Sequence, residues 1–90
     1  MAIQVHIPTP LRPQADNQAV VEVQGTTVHR ALEDLGSRFP ALFQRVIENG
    51  QVRRFINIYL NDEDIRYLDN LKTAVKDGDS LSIIPAVAGG

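Results

Sequence analysis

The sequence predicts an α+β domain in which a mixed sheet of four to five strands packs on one main helix. Three observations predict it. Apolar residues alternate near both ends of the chain, the spacing switches to a helical period between them, and proline, glycine and Asn/Asp turn signals separate these stretches. Ninety residues suit one domain, which at this size buries about 64% of its unfolded surface. That suffices for one core and leaves little interior for a ligand pocket of about 300–1,000 Å³, which argues against a self-contained enzyme. Hydrophobic residues at 43% and charged residues at 22% are globular values and exclude disorder.

From Ala2 to Ile7, Ile3, Val5 and Ile7 point one way and Gln4 and His6 the other, which is a half-buried strand. Pro8, Pro10 and Pro13 end it, because proline cannot donate to a ladder, and Pro8–Asn17 reads as a long hairpin loop. Gln18–Gln24 is the second strand, with Ala19, Val21 and Val23 on its inner face, and Gly25 breaks it. Val28, Ala31, Leu32, Leu35 and Phe39 then fall at helical offsets, with Thr26 or Thr27 able to cap the start. Pro40 stops this helix and opens a short second one through about Ile47, ended by Asn49-Gly50. Phe55–Asn61 alternates again, with Ile56, Ile58 and Leu60 inside and Phe55, Asn57 and Tyr59 outside. A tight turn at Asn61-Asp62-Glu63 leads into a short strand near Ile65–Leu68, and Leu71–Val75 makes a brief helical turn. Asp77-Gly78-Asp79 turns the chain into a last strand, Leu81–Ile84, which Pro85 ends. One helix between two strand pairs suits the β-grasp, or ubiquitin-like, roll; a split βαβ arrangement is the rival. Residues 1–85 are expected to form this domain, and 86–90 a flexible tail.

Nine basic against eleven acidic residues lack the positive excess of a nucleic-acid binder, which must displace phosphate counterions. Apolar runs of only a few residues cannot span a membrane. The opening Met1-Ala2-Ile3-Gln4 lacks the order of a signal peptide, so the cytoplasm is the expected compartment; the chain alone is expected to be a monomer. With no cysteine there is no disulfide, thiolate metal site or cysteine nucleophile, and sulfur chemistry must use another atom of the chain.

The end of the chain offers one. Ala86-Val87-Ala88-Gly89-Gly90 is uncharged and slender, and five residues reach about 17 Å, enough to enter a partner's channel. Glycine has no Cβ, so its backbone and carboxylate can approach a surface closely. The α-carboxyl, with a reference pKa of about 3.3–3.7, is an anion at neutral pH and can be joined to AMP as a mixed anhydride. Two terminal glycines arise by chance in roughly one chain in two hundred, so alone they could be frayed coil. Behind a ubiquitin-like roll they point to activation chemistry.

The stretch from Leu71 to Gly90, with its Asp77-Gly78-Asp79 turn, apolar strand, proline and Val87-Ala88-Gly89-Gly90 end, resembles the C-terminal signature of the MoaD/ThiS sulfur carriers. Phe55–Arg66 and the opening Ile7-Pro8-Thr9-Pro10-Leu11-Arg12-Pro13 look closest to the branch serving cysteine biosynthesis. This resemblance implies a co-substrate that binds no cofactor itself. A ubiquitin-activating-type enzyme would use Mg-ATP to adenylate Gly90, and a sulfur donor would convert the adenylate to a thiocarboxylate. The sulfur would attack an aminoacrylate held by a pyridoxal-phosphate cysteine synthase, and a zinc metalloprotease would release cysteine and restore Gly89-Gly90. Ala86 to Gly90 would enter the partner, and every catalytic group would belong to partners.

The strand alternation sets Phe55 and Tyr59 on the open face of the sheet, with His6 and Ile84 beside them, which points to a docking patch. On the bland reading Phe55 caps the sheet edge and the tail half covers Ile84. Arg45, Arg53 and Arg54 form either a basic patch facing an acidic partner or a solvated face. Asp62, Glu63 and Asp64 lack the glycine and distal glutamate of a calcium loop, and His6 and His29 have no companion ligands, so no metal site is expected. Three other functions fit the same end: the small subunit of molybdopterin synthase, seated in the large subunit; a ubiquitin-like modifier joined to lysines; and an interaction domain with an inert tail.

Overall fold

Residues 2–86 are described by the computed structural model. The first alternation becomes β1 (Ala2–His6), with Ile3 and Val5 fully buried and Gln4 and His6 exposed. The proline-rich stretch expected to be loop is instead a 3-10 helix, Thr9–Ala15, that buries Leu11 and Ala15. The prolines cause this: they fix φ near the helical value, and Pro10 lies in the first turn, where no amide is required. Asp16 and Asn17, at φ 53° and 60°, then reverse the chain into β2 (Val20–Gln24). Val21 and Val23 face inward as expected, whereas Ala19 lies one residue outside the strand and is exposed.

The change of period produces α1 (Val28–Arg38), capped by Thr27, whose hydroxyl accepts the Arg30 N–H at 3.1 Å. Its buried stripe is Val28, Ala31, Leu32 and Leu35. Pro40 opens α2 (Pro40–Val46). Asn49-Gly50 is more than the end of that helix: with φ of 54° and 76° it is the two-residue tip of a hairpin between β3 (Ile47–Glu48) and β4 (Gln51–Val52). β5 (Ile56–Leu60) follows, with Ile58 buried and Ile56 and Leu60 packed against the core.

The short strand after β5 comes earlier than Ile65–Leu68. Asn61, at φ 56°, turns the chain at once, so Leu60 pairs with Glu63 and β6 is only Glu63–Asp64. The Asp64 carboxylate then accepts the Arg66 N–H at 2.9 Å, which caps a 3-10 turn over Ile65–Tyr67 and ends the strand. A second 3-10 turn, Asn70–Lys72, replaces the helical turn expected over Leu71–Val75. Its exit is tied to the start of α1, because Thr73 C=O accepts from Val28 N–H and Thr26 C=O from Val75 N–H, both at 3.0 Å. Gly78, at φ 89°, makes the last turn into β7 (Ser80–Pro85).

The five-stranded sheet has the order β2-β1-β7-β5-β6, with β1 and β7 parallel at its centre and the other pairs antiparallel. Its inner face meets the α1 stripe, and the chain's crossover places the two terminal strands side by side. This is the β-grasp roll. The turn from β2 into α1 leaves no clearance: a Cβ at Gly25 would lie 2.6 Å from the Ala31 nitrogen. That contact is backbone and cannot swing aside, so a glycine is required there.

Candidate functional site

β7 carries the chain to Ala86, and its ladder with β5 fixes where that residue stands. Asn61 N–H donates to Ser80 C=O and Ala86 N–H donates to Phe55 C=O, each at 2.7 Å. These bonds bracket the register, in which Asn57 faces Ile84 and Tyr59 faces Ser82. Alternation of bonded pairs in an antiparallel ladder turns the Pro85 nitrogen away from β5, toward the side where β1 no longer runs alongside. Proline is therefore tolerated inside the last strand, and pairing continues through Ala86. Ala86 is exposed beside Phe55. Val87, Ala88, Gly89 and Gly90, with the sulfur-attachment and tail-flexibility expectations placed on them, lie outside the described residues. Four residues can reach about 14 Å beyond Ala86.

Cross-strand registers assemble the outer face. Val20, His6, Ser82 and Tyr59 form one row across β2, β1, β7 and β5. Asn57 and Ile84 form the next row toward the chain end, and Phe55 stands beyond it beside Ala86. Phe55 and Ile84 are 53% and 43% exposed, His6 is exposed and Tyr59 half-buried. The four residues picked from alternation thus share one face. Sequence reading missed Val20, 41% exposed at the end of the same row, although the inward parity of Val21 and Val23 signalled it. Tyr67, 81% exposed, escapes the pattern as well, because the segment around it reads as a strand in sequence and folds as a 3-10 turn.

The described residues hold no group of three or more His, Cys, Asp and Glu side chains that could bind a metal. His29 lies on α1, 3.8 Å from Glu33, while His6 lies on the outer sheet face. No described helix is long and apolar enough to cross a membrane. A cleft of about 540 Å³ lies between β4, β5 and the 3-10 turns.

At that cleft Arg66 grips Asp64, with Nη2 at 2.8 Å and Nε at 3.2 Å from Oδ2. The hydrogen bond from Arg66 holds the Asp64 carboxyl below the ordinary aspartate value. A group whose pKa is lower folded than unfolded contributes stability above its unfolded pKa, and that contribution is lost as pH falls through the folded value. Asp64→Asn is therefore expected to lower the denaturant midpoint at neutral pH, with a gap from the wild type that closes below about pH 4. Midpoints measured from pH 7 down to the acid limb check this.

Comparison with known proteins agrees with the fold and the terminus. The ThiS family model matches residues 5–90. The sulfur carrier protein CysO of Mycobacterium tuberculosis is 43% identical over 93 residues, covering 100% of both chains. A chain in the crystal structure of the Amycolatopsis orientalis BexX/CysO complex superposes with a TM-score of 0.93 at 44% identity, covering 98% of this chain and 99% of that one. Small archaeal modifier protein 3 of Haloferax volcanii is 39% identical over 64 residues, 71% of this chain and 70% of that protein. The match spans the strands, the helix and the Gly89-Gly90 terminus together, and the chain belongs to the ThiS family.

Proposed function

We propose that this protein is a sulfur carrier for cysteine formation and that Gly90 is the atom-bearing residue. The observation that supports it most is full-length similarity to a protein named as a sulfur carrier, joined to a β7 that carries the chain to Ala86 beside the open face. In the proposed sequence an adenylating partner joins the Gly90 carboxylate to the α-phosphate of Mg-ATP, releasing pyrophosphate. A sulfur donor's sulfide then attacks the acyl carbon, the C–O bond to AMP breaks, and a thiocarboxylate remains. The thiocarboxylate sulfur would then bond to the aminoacrylate carbon held by a cysteine synthase that carries pyridoxal phosphate. The glycyl acyl group would shift from that sulfur to the new amine, and a zinc protease would hydrolyse the resulting amide, releasing cysteine and restoring the Gly90 carboxylate. The chain is a co-substrate: its sheet carries the chain to Ala86 and presents the face holding His6, Tyr59, Ile84 and Phe55 to the partner. Recognition of an apolar face next to a slender tail lets one enzyme read the body and the reacting end together.

The docking role is checked by Phe55→Asp and Ile84→Asp. Both side chains stand on the open face, so stability should change by no more than about 1 kcal/mol. Adenylation, followed as pyrophosphate release, should lose about tenfold or more in kcat/KM, as expected where an apolar anchor is removed from an interface. Unchanged kcat/KM in both variants contradicts the docking role.

Similarity to a small archaeal modifier protein favours one second reading, in which activated Gly90 acylates lysine amines. Diglycine remnants from Gly89-Gly90 on cellular lysines would establish it, and their absence during active sulfur transfer would exclude it.

A further inference from the structure

We infer that the end of the domain from which Ala86 leaves is an electropositive collar that fits an acidic lip around a partner's tail-accepting channel, so that the carrier arrives tail first. This inference rests on the carrier reading above. β5 and β7 run antiparallel from the Asn61–Ser80 end to the Phe55–Ala86 end, and charge is divided between these ends. At the Ala86 end, Arg45 of α2 and Arg53 and Arg54 before β5 line one cleft of about 530 Å³ with Phe55, Pro85 and Ala86. Among the described residues Glu48 is the single acid lining it. Arg53 Nη1 donates to Gln44 C=O at 3.1 Å, and the Arg54 guanidinium stands 5.9 Å from the centre of the Phe55 ring. All three arginines are exposed, and none has an acidic partner among the described residues.

The opposite end carries Asp62, Glu63, Asp77 and Asp79. Asn61 Nδ2 donates to Asp79 Oδ1 at 3.3 Å, which draws the two turns together, and Ala2 N–H donates to Asp77 Oδ1 at 2.8 Å, which ties the start of β1 to the second turn. Lys76 is adjacent to them and donates its backbone N–H to Asp79. The two ends are separated by the length of β7, about 17–20 Å, roughly twice the screening length at physiological salt. A chain of formal charge −2 is therefore repelled by an acidic surface on average and attracted only in the tail-first orientation. Such asymmetry orients an encounter and raises its rate more than it adds final affinity. The complement of three arginines flanking an aromatic ring is an acidic segment of protein, with carboxylates for the guanidiniums and apolar contact for Phe55.

The test is a titration of the ¹⁵N-labelled full chain with hexaglutamate, hexalysine and tripolyphosphate, at about 20 mM and about 200 mM salt. Hexaglutamate should move the amide resonances of Arg45, Arg53 to Ile56 and Ala86 and leave those of Asp62, Glu63 and Asp77 to Asp79 in place. Hexalysine should do the reverse. Apparent hexaglutamate affinity should fall about fivefold or more at the higher salt, and Arg45→Glu with Arg54→Glu should abolish it; the paired Gln variants guard against a folding effect. Shifts spread over the whole surface, or absent, overturn the inference. So does a response of these amides to tripolyphosphate alone, which would make the cleft a phosphate site. The carrier reading fails through a separate readout, the mass of the C-terminal peptide after incubation with ATP, sulfur donor and activating enzyme.

Discussion

Deletion of Gly90 is expected to abolish sulfur loading while leaving the thermal midpoint within about 1 °C of the wild type. The two halves of this result come from different parts of the chain. Among the described residues every buried core side chain lies between Ile3 and Ile83, and a glycine brings no side chain to bury. The proposed chemistry, by contrast, needs the acyl carbon at one place in an activating enzyme. Ending the chain at Gly89 moves the carboxylate back by one residue, about 3.5 Å, where a misplacement of 1 Å already costs about 100-fold in rate. Pyrophosphate release and thiocarboxylate formation should both fall below detection. Loading of the shortened chain at more than about a tenth of the wild-type rate would contradict the assignment.

Leu32→Ala is expected to have the largest effect on stability, a loss of about 3 kcal/mol within the range of about 2–5 found for buried leucines. Leu32 is 1% exposed in the middle of the α1 stripe, where the sheet's inner face closes on the helix. A domain of this size typically has about 5–15 kcal/mol in total, and each kcal/mol moves the midpoint by about 4–8 °C. A fall of roughly 12–24 °C is therefore expected, against less than about 0.5 kcal/mol for neighbouring Glu33→Ala on the exposed side. Denaturant titration checks both variants, and a Leu32→Ala loss below about 1 kcal/mol would contradict the packing described here.

The elements legible in the sequence are those whose periodicity is set by burial on one side. β1, β5, β7 and α1 each alternate or cycle against the same core, so Ile3, Val5, Ile58, Leu81, Leu32 and Leu35 could be assigned before any coordinates. The misses occur where local geometry outweighs pattern. The run from Pro8 to Pro13 carries strand-ending residues, yet their fixed φ also suits a 3-10 turn that buries Leu11. Asn49-Gly50 is a hairpin signal, but β3 and β4 have two residues each, too few to show alternation. Asp64 ends β6 through its own carboxylate, a competition between side chain and ladder that hydropathy does not register.

The candidate site was legible in the same unequal way. Parity alone placed His6, Tyr59, Ile84 and Phe55 on one face, because a strand has only two faces. The register that makes Val20, His6, Ser82 and Tyr59 a continuous row is a property of strand order, β2-β1-β7-β5. A mixed sheet joined by long crossovers does not announce that order in sequence. The same holds for the arginine cleft. Arg45 is eight positions before Arg53, and only the β3–β4 hairpin between them returns the chain so that both border Ala86.

The most direct measurement is the mass of the C-terminal peptide ending in Gly90 after the purified chain meets its adenylating enzyme, Mg-ATP and a sulfur donor. A gain of about 16 mass units, lost on transfer to the acceptor and dependent on ATP, is the predicted result, because one carboxylate oxygen is exchanged for sulfur. An unchanged mass at Gly90, with sulfur found nowhere or bound elsewhere on the chain, would contradict the account.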